Sequence, residues 1–279
     1  MPKVSVLTPI YNTNPEHLRS AIESVLNQTF HDFEFLILND SPDNKDLKKI
    51  VKSYRDKRIK YLENKKNLGI GESRNKLLDL ARGEYIAVFD HDDICVLDRF
   101  QRQVDYLDSH PEIGVVSGWL QYFGGSKNLI CNPETDEMIK IFLTGCCCVA
   151  HTAMMVRKSV IFDNNIRYNK KYYPVEDYDL LSQLMDVTDF YNIQSVMVMY
   201  RVHKNSVSVV HKQKMDIMHE NVQIGIINKY PGFRIKYLEN FEDHTRFRLR
   251  LFGVIPFIKI KKNRLYLFEF IPFGKVKWK

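Results

Sequence analysis

Three carboxylates fall within four residues at Asp90, Asp92 and Asp93, with His91 between the first two. At the end of a strand-like run they would repel one another strongly unless something positive sat among them. Hard oxygen donors of this kind suit a divalent cation, Mg2+ or Mn2+. A cation held there can act as a Lewis acid and offset charge on a departing diphosphate. A solvated acidic loop is the plain alternative. His91 reads as a spacer rather than a ligand.

Three further polar clusters follow strand-like runs. Thr8-Pro9-Ile10-Tyr11-Asn12 places a hydroxyl beside an aromatic ring that can face a nucleobase, although Pro and Asn also make ordinary turns. Asn39-Asp40-Ser41-Pro42-Asp43 offers a carboxylate able to accept from the imide N–H of uracil; an Asx-turn or helix N-cap reads the same residues. In Asn67-Leu68-Gly69-Ile70-Gly71-Glu72-Ser73-Arg74 the glycines admit a close backbone approach. Arg74 brings a forked donor that matches phosphate oxygens. The full dinucleotide-binding fingerprint is missing, so this stretch is a weak signal by itself.

The elements that must carry these clusters alternate. Val4–Thr8, Phe33–Leu38, Ile59–Leu62 and Tyr85–Phe89 read as strands. Between them, helical periodicity runs through Leu18, Ile22, Val25 and Leu26, over Leu47–Tyr54, and over Ser73–Ala81. Alternation of this sort predicts an α/β fold, a mainly parallel sheet with helices on both faces, whose ligands bind beyond the carboxyl ends of strands. Farther on, Ile113–Ser117 and Val196–Tyr200 read as strands, and Glu176–Met185 and Met215–Ile227 as helices.

In this order and spacing the four clusters resemble the inverting family 2 glycosyltransferases of the GT-A fold. The linking stretches Ala21–Phe30 and Ala81–Ile86 are similar to that family as well. The resemblance covers about residues 3–208. It implies a Rossmann-like GT-A domain in which Asp90 to Asp92 form the DxD motif. Asp40 would contact uracil, Asp90 the ribose or the metal, and Asp92 the metal itself, with Thr8, Tyr11 and Arg74 completing a nucleotide-sugar site.

Val175-Glu176-Asp177-Tyr178-Asp179 resembles the family's ED motif, whose Asp is the catalytic base; a helix N-terminal acid pair is the competing reading. The chemistry needs such a group, because an acceptor hydroxyl must lose its proton while it attacks the anomeric carbon opposite the leaving diphosphate. Glu176 would position Asp177 or the acceptor. Tyr200–Ser206 resembles another family stretch, in which His203 would reach the metal or diphosphate and Arg201 would brace the site. His151 is a candidate for the acceptor side. The processive members' Gln-x-x-Arg-Trp stretch does not follow Asp177, so transfer of single sugars is expected. Ile166-Arg167-Tyr168-Asn169 and Tyr200–His203 resemble lipooligosaccharide and capsule enzymes that add β-1,3-linked GlcNAc, GalNAc or galactose.

Bulk composition sets the frame. The 279 residues are 44% hydrophobic and 27% charged, ample for a core. From His244 onward ten Lys/Arg face one acid, so that segment carries +9 and the body before it −2. The same segment repeats an aromatic–Ile-Pro-Phe–Lys unit at Leu251–Lys259 and Leu267–Lys275, expected to form an appended hairpin or surface patch. Basic and aromatic residues so mixed suit peripheral contact with an anionic membrane, or else they cover the core with solvated lysines. Nucleic acid is not expected, for want of any recognised module.

The five cysteines form no CxxC pair. Cys146, Cys147 and Cys148 read as reduced, buried small hydrophobes, consistent with a cytoplasmic location. No signal-peptide or membrane-spanning pattern is seen.

The division expected is a catalytic domain over 1–208 and a helical, basic extension over 209–279 for acceptor or membrane contact. The expected donor is a nucleoside-diphosphate sugar, UDP first, and the expected acceptor a glycan or lipid-linked hydroxyl. A sugar-phosphate nucleotidyltransferase would normally show a Gly-rich basic loop after the first strand, which Thr8–Asn12 does not offer. A non-catalytic nucleotide- or glycan-binding module is the other alternative.

Overall fold

The computed structural model describes residues 1–203, 206–241, 258–261, 264–267 and 271–275. It divides into two compact units, Met1–Ile226 and Ile227–Lys279.

The first unit opens with β1 (Val4–Ile10), α1 (Pro15–Leu26), β2 (Phe33–Asn39), α2 (Lys45–Ser53), β3 (Ile59–Glu63), α3 (Ile70–Leu80) and β4 (Tyr85–Val88). Every residue of β1 and β2 is buried, as expected of strands covered on both faces. The Asn14 side chain caps α1, accepting from the backbone N–H groups of Glu16 and His17 at 2.9 and 3.3 Å, and Pro15 fits the first turn. Leu18, Ala21, Ile22 and Val25 recur at helical spacing and form the buried stripe of α1.

The remainder of this unit supplies β5 (Ile94–Cys95), α4 (Arg99–Ser109), β6 (Ile113–Gly124), β7 (Leu129–Ile130), α5 (Asp136–Leu143), β8 (Met155–Arg157), α6 (Lys158–Asp163), α7 (Glu176–Leu184), β9 (Asp189–Val202), α8 (Val207–Val210) and α9 (Lys212–Lys229). The sheet runs β3-β2-β1-β4-β8-β6-β9-β5, with β7 paired to β6. β3-β2-β1-β4 is parallel throughout, as is the long β6–β9 ladder; antiparallel joints occur at β8, β7 and β5. The expected α/β class, a mostly parallel sheet flanked by helices, is what the chain forms.

The topology places the site. Strand order leaves β1 in one direction toward β2 and β3, then reverses to put β4 on the other side. β1 pairs with β2 through Ile10 but with β4 only through Leu7. Beyond Leu7 the two strands part, which is where crevices open in sheets of this kind. Thr8 and the loop after β4 lie at that fork.

Two strands are longer than their hydrophobic patterns suggest. β6 extends past Ser117 to Gly124, and β9 starts at Asp189 rather than Val196. Their ladder has register shifts around Gly118–Leu120, which break the alternation that local pattern reading relies on. The cysteine expectation needs correction: Cys148 is buried, but Cys146 is half-buried and Cys147 exposed, since the chain turns after α5 before the next buried run. None forms a disulfide.

The second unit holds the end of α9, α10 (Pro231–Phe241) and a three-stranded antiparallel sheet of β10 (Ile258–Lys261), β11 (Arg264–Leu267) and β12 (Ile271–Lys275). The repeated sequence thus contributes β10 and β12 to one small sheet, on either side of β11. The rest of the first repeat copy, the start of the basic segment at His244 and several of its cations lie outside the described residues. Among the described residues, no helix is long and apolar enough to cross a membrane.

Candidate active site at the fork of β1 and β4

Asp40 follows β2 and is almost completely buried. Its Oδ1 accepts from Asn64 Nδ2 at 2.7 Å and from the Leu68 N–H at 2.9 Å, and its Oδ2 accepts from the Gly69 N–H at 2.9 Å. The carboxylate thereby holds the loop leading into α3. Gly69 adopts φ of 86°, a left-handed conformation natural to glycine, where the chain turns into α3. Thr8 donates to the Phe89 carbonyl at 2.9 Å across the fork, while Tyr11 stands exposed just after β1.

Arg74 occupies the first turns of α3 and is 5% exposed. Its Nη2 donates to Asp90 Oδ1 at 2.9 Å, its Nη1 lies 3.8 Å from Glu176 Oε1, and its guanidinium sits 5.5 Å from the Tyr168 ring centre. Burial would lower its pKa, yet Asp90, Tyr168, Glu176 and Asp177 outweigh that and raise it. Arg74 Nε and Glu176 Oε2 are both buried with no hydrogen-bond partner among the described residues. Orphaned polar atoms on facing side chains fit a site that a polar ligand completes.

The acidic loop after β4 divides its carboxylates. Asp93 is buried and structural: its Oδ2 accepts from Thr152 Oγ1 at 2.9 Å and its Oδ1 from the Arg201 N–H at 2.8 Å. Burial, then the neighbouring Asp90 and Asp92, push its pKa well above the usual carboxylate range. Asp90 and Asp92 keep partial exposure, at 27% and 19% of their side chains. Asp92 Oδ2 lies 2.9 Å from His203 Nε2, and Arg201 Nε donates to the Asp92 carbonyl at 2.7 Å. His91 Nδ1 is 3.9 Å from Asp92 Oδ1. The end of β9 therefore braces the loop from one side. From beneath, the fully buried Arg99 donates to the carbonyls of Val88, Thr152 and Met154 at 2.9, 2.9 and 3.2 Å.

At the start of α7 Glu176 is buried and Asp177 half-buried. Asp177 Oδ1 accepts from the Tyr178 N–H at 2.8 Å. Burial raises the Asp177 pKa, Arg74 pulls it down and Asp90 pushes it up; the net shift is upward. Glu176 is likewise raised by burial against the pull of Arg74. One guanidinium thus serves the acids of both loops. Beside these groups the buried His151 is 2.8 Å from the Tyr168 hydroxyl, through Nε2. Burial, then Arg74, lower the His151 pKa to about 3, so its imidazole is neutral.

The fold brings together Arg74, Asp90, Glu176 and Asp177, and separately Asp92 with His203. Thr8 and Asp40 make the internal contacts described above. The sequence did not point to Asn64, Arg99 or Thr152, and Tyr168 stood out only as part of the Ile166–Asn169 stretch. Asp93 was visible as the third acid of its cluster, but nothing local separates it from Asp90 and Asp92. His17 was also missed; its ring lies 5.7 Å from that of His203.

Residues 5–162 match the family described as Glycosyl transferase family 2. The chain belongs to that family. An uncharacterized glycosyltransferase of Methanocaldococcus jannaschii is 34% identical over 224 residues, spanning 77% of this family member and 76% of the relative. The amylovoran biosynthesis glycosyltransferase AmsE of Erwinia amylovora is 28% identical, over 66% of this chain and 70% of its own.

Solved structures agree on the fold of this family 2 glycosyltransferase. Residues 1–349 of S. aureus TarS in complex with UDP-GlcNAc superpose with a TM-score of 0.65 at 18% identity, over 88% of this chain and 76% of that one. The mannosyltransferase PcManGT of Pyrobaculum calidifontis, in complex with GDP-Man and Mn2+, superposes with a TM-score of 0.63 at 13% identity, over 86% and 71%.

Proposed function

We propose that this family 2 member is a non-processive, inverting glycosyltransferase that moves a hexose or N-acetylhexosamine from a UDP-sugar to a hydroxyl of a growing surface glycan. The observation that carries the reading is the position of Arg74, buried between Asp90 on the donor side and the Glu176–Asp177 pair. Such a guanidinium can serve a diphosphate while keeping a carboxylate base within reach of the reacting carbon.

In this mechanism Asp177 accepts the proton of the acceptor hydroxyl as its oxygen bonds to the anomeric carbon. The bond from that carbon to the diphosphate breaks on the opposite face, and the diphosphate leaves with the electron pair. Glu176 orients the base or the acceptor. Asp40, Thr8 and Tyr11 frame the nucleoside. Residues 1–208 hold donor and base.

We infer a divalent cation at the fork, held by two carboxylates and the substrate, since among the described residues no three His, Cys, Asp or Glu side chains are gathered as a metal site. Asp90 and Asp92 are partly exposed oxygen donors whose charge already bears on Asp93. Two carboxylates completed by substrate phosphates are a usual Mg2+ arrangement. Asp90 and Asp92 would hold the ion, with His203 as a further ligand or as the brace of Asp92. Bound there, Mn2+ or Mg2+ would offset charge on the leaving diphosphate.

The complexes of the similar TarS and PcManGT support a nucleotide-sugar donor and a divalent ion, and the similarity to AmsE supports a surface polysaccharide as product. We infer a β-1,3 linkage from the sequence resemblance. Residues 209–279 would meet the acceptor or the anionic inner face of the cell membrane, with the protein cytoplasmic.

A thermal-shift panel of UDP, GDP and dTDP with and without Mn2+ tests the donor site, and a glycan array with labelled UDP-sugars tests transfer. UDP stabilisation that depends on Mn2+, lost in Asp92→Asn, is expected. Equal response to all three nucleotides, or none, would overturn the donor assignment.

A further inference from the structure

A wide, open cleft of about 520 Å3 lies on the α7 face that carries Asp179 and Gln183, one to two turns beyond Glu176. The volume lies inside the ~300–1,000 Å3 range of small-ligand sites. Its lining is polar and mixed in charge: Glu72 and Asp179 face Lys170 and Arg167, the last already paired with Asp79 at 3.3 Å. A phosphate would meet two carboxylates there, and a cation two basic groups. Tyr172 adds an aromatic ring, and the side chains of Asn165, Asn169 and Gln183 add amides.

Much of the wall is built by internal bonds. Asn75 clamps the Tyr168 backbone, donating to its carbonyl at 2.8 Å and accepting from its N–H at 2.9 Å. Gln183 donates to the Arg167 carbonyl at 3.1 Å and to Asp179 at 2.9 Å. By contrast, the side chains of Glu72 and Lys170 and the Tyr172 hydroxyl make no hydrogen bond among the described residues. The cavity also borders the site above. Tyr168 lines it and packs on Arg74, and a Cβ at Gly71, the residue before Glu72, would stand 3.6 Å from Tyr168 Cβ and 3.8 Å from Glu176 Cγ.

We propose that this cavity is a subsite for a neutral sugar unit of the acceptor glycan, at a remove from the unit whose hydroxyl reacts. Mixed donors and acceptors, with acids and bases side by side, match vicinal hydroxyls, each of which both donates and accepts. Tyr172, whose ring centre lies 5.7 Å from Lys171 Nζ, adds a ring for the sugar to pack on. The inference rests on the transferase reading for the word acceptor; the ligand class rests on the lining itself.

The test is a ladder of neutral one- to four-ring oligosaccharides of N-acetylglucosamine and of galactose, titrated by calorimetry into the full chain with UDP present. Glu72→Ala and Tyr172→Ala, both at half-buried side chains, are compared with the unaltered chain. Three- and four-ring members are expected to bind better than single rings. Each substitution should weaken them about tenfold, the worth of one good hydrogen bond or ring contact, leaving single-ring and UDP binding unchanged. Affinity that does not rise with length, or equal binding by the variants, would overturn the proposal. Failure to bind UDP would instead strike at the transferase reading, and length-dependent saccharide binding measured without UDP keeps the two apart.

Discussion

Arg74 donates to Asp90 at 2.9 Å, tying α3 to the loop after β4 from a position 5% exposed. No sequence pattern joins these two residues; the parallel pairing of β1 with β4 does. Removing the guanidinium leaves Asp90 and Glu176 without their shared counter-charge. Arg74→Met is expected to lower stability by about 3 kcal/mol, as loss of one partner of a buried ion pair does. Arg74→Lys keeps the charge but not the fork, and transfer should fall about 100-fold with the fold intact. Urea denaturation and a radiolabelled-donor assay check the two effects.

Asp177→Asn should bind UDP as the unaltered chain does while transfer drops by about 10²- to 10⁴-fold, the usual worth of a general base. Retained transfer would remove Asp177 from the mechanism.

The pH profile follows from the same residue. Burial raises the Asp177 pKa, Arg74 opposes that, Asp90 reinforces it, and the net displacement is upward from the ordinary aspartate value. A base must be unprotonated, so kcat/KM is expected to rise with pH along a limb displaced above the ordinary aspartate value. Weakening Arg74 should move that limb higher still. A limb at or below the free aspartate value would contradict the assignment.

Asp40→Ala releases three donors, from Asn64, Leu68 and Gly69. A cost of about 1 kcal/mol is expected, because the Leu68 N–H loses its partner while Asn64 keeps Ser73 and Gly69 keeps Asn67. UDP affinity should weaken with it, because the loop into α3 loses its anchor. Denaturation and calorimetry on one preparation measure both.

His151 is held neutral to about pH 3 by burial and by Arg74, whereas in an unfolded chain it titrates near 6.5. Between those values the unfolded state binds the extra proton. The stability this group contributes is therefore complete above about pH 6.5 and lost progressively as pH falls toward 3. His151→Gln is expected to show a smaller fall in melting temperature between pH 7 and pH 5. Raised carboxyls such as Asp93 act with the opposite sign in both chains, so the difference between chains reports the imidazole.

The sequence by itself determined the alternation of strands and helices from Val4 to Val88 and which positions end strands. Those properties follow from hydrophobic periodicity and turn chemistry, which are written locally. It also determined that acids cluster at Asp90–Asp93 and Glu176–Asp177. Only the tertiary structure decided how those acids divide their work. Asp93 and Asp90 read alike in the chain, yet Thr152 and Arg201 engage one and Arg74 the other. Asp92 meets His203, 111 positions away, because the β6–β9 ladder carries the end of β9 back to the fork. The lengths of β6 and β9 and the exposure of Cys147 belong to the same class. They depend on register shifts and on where distant segments pack, and no window of neighbouring residues records either.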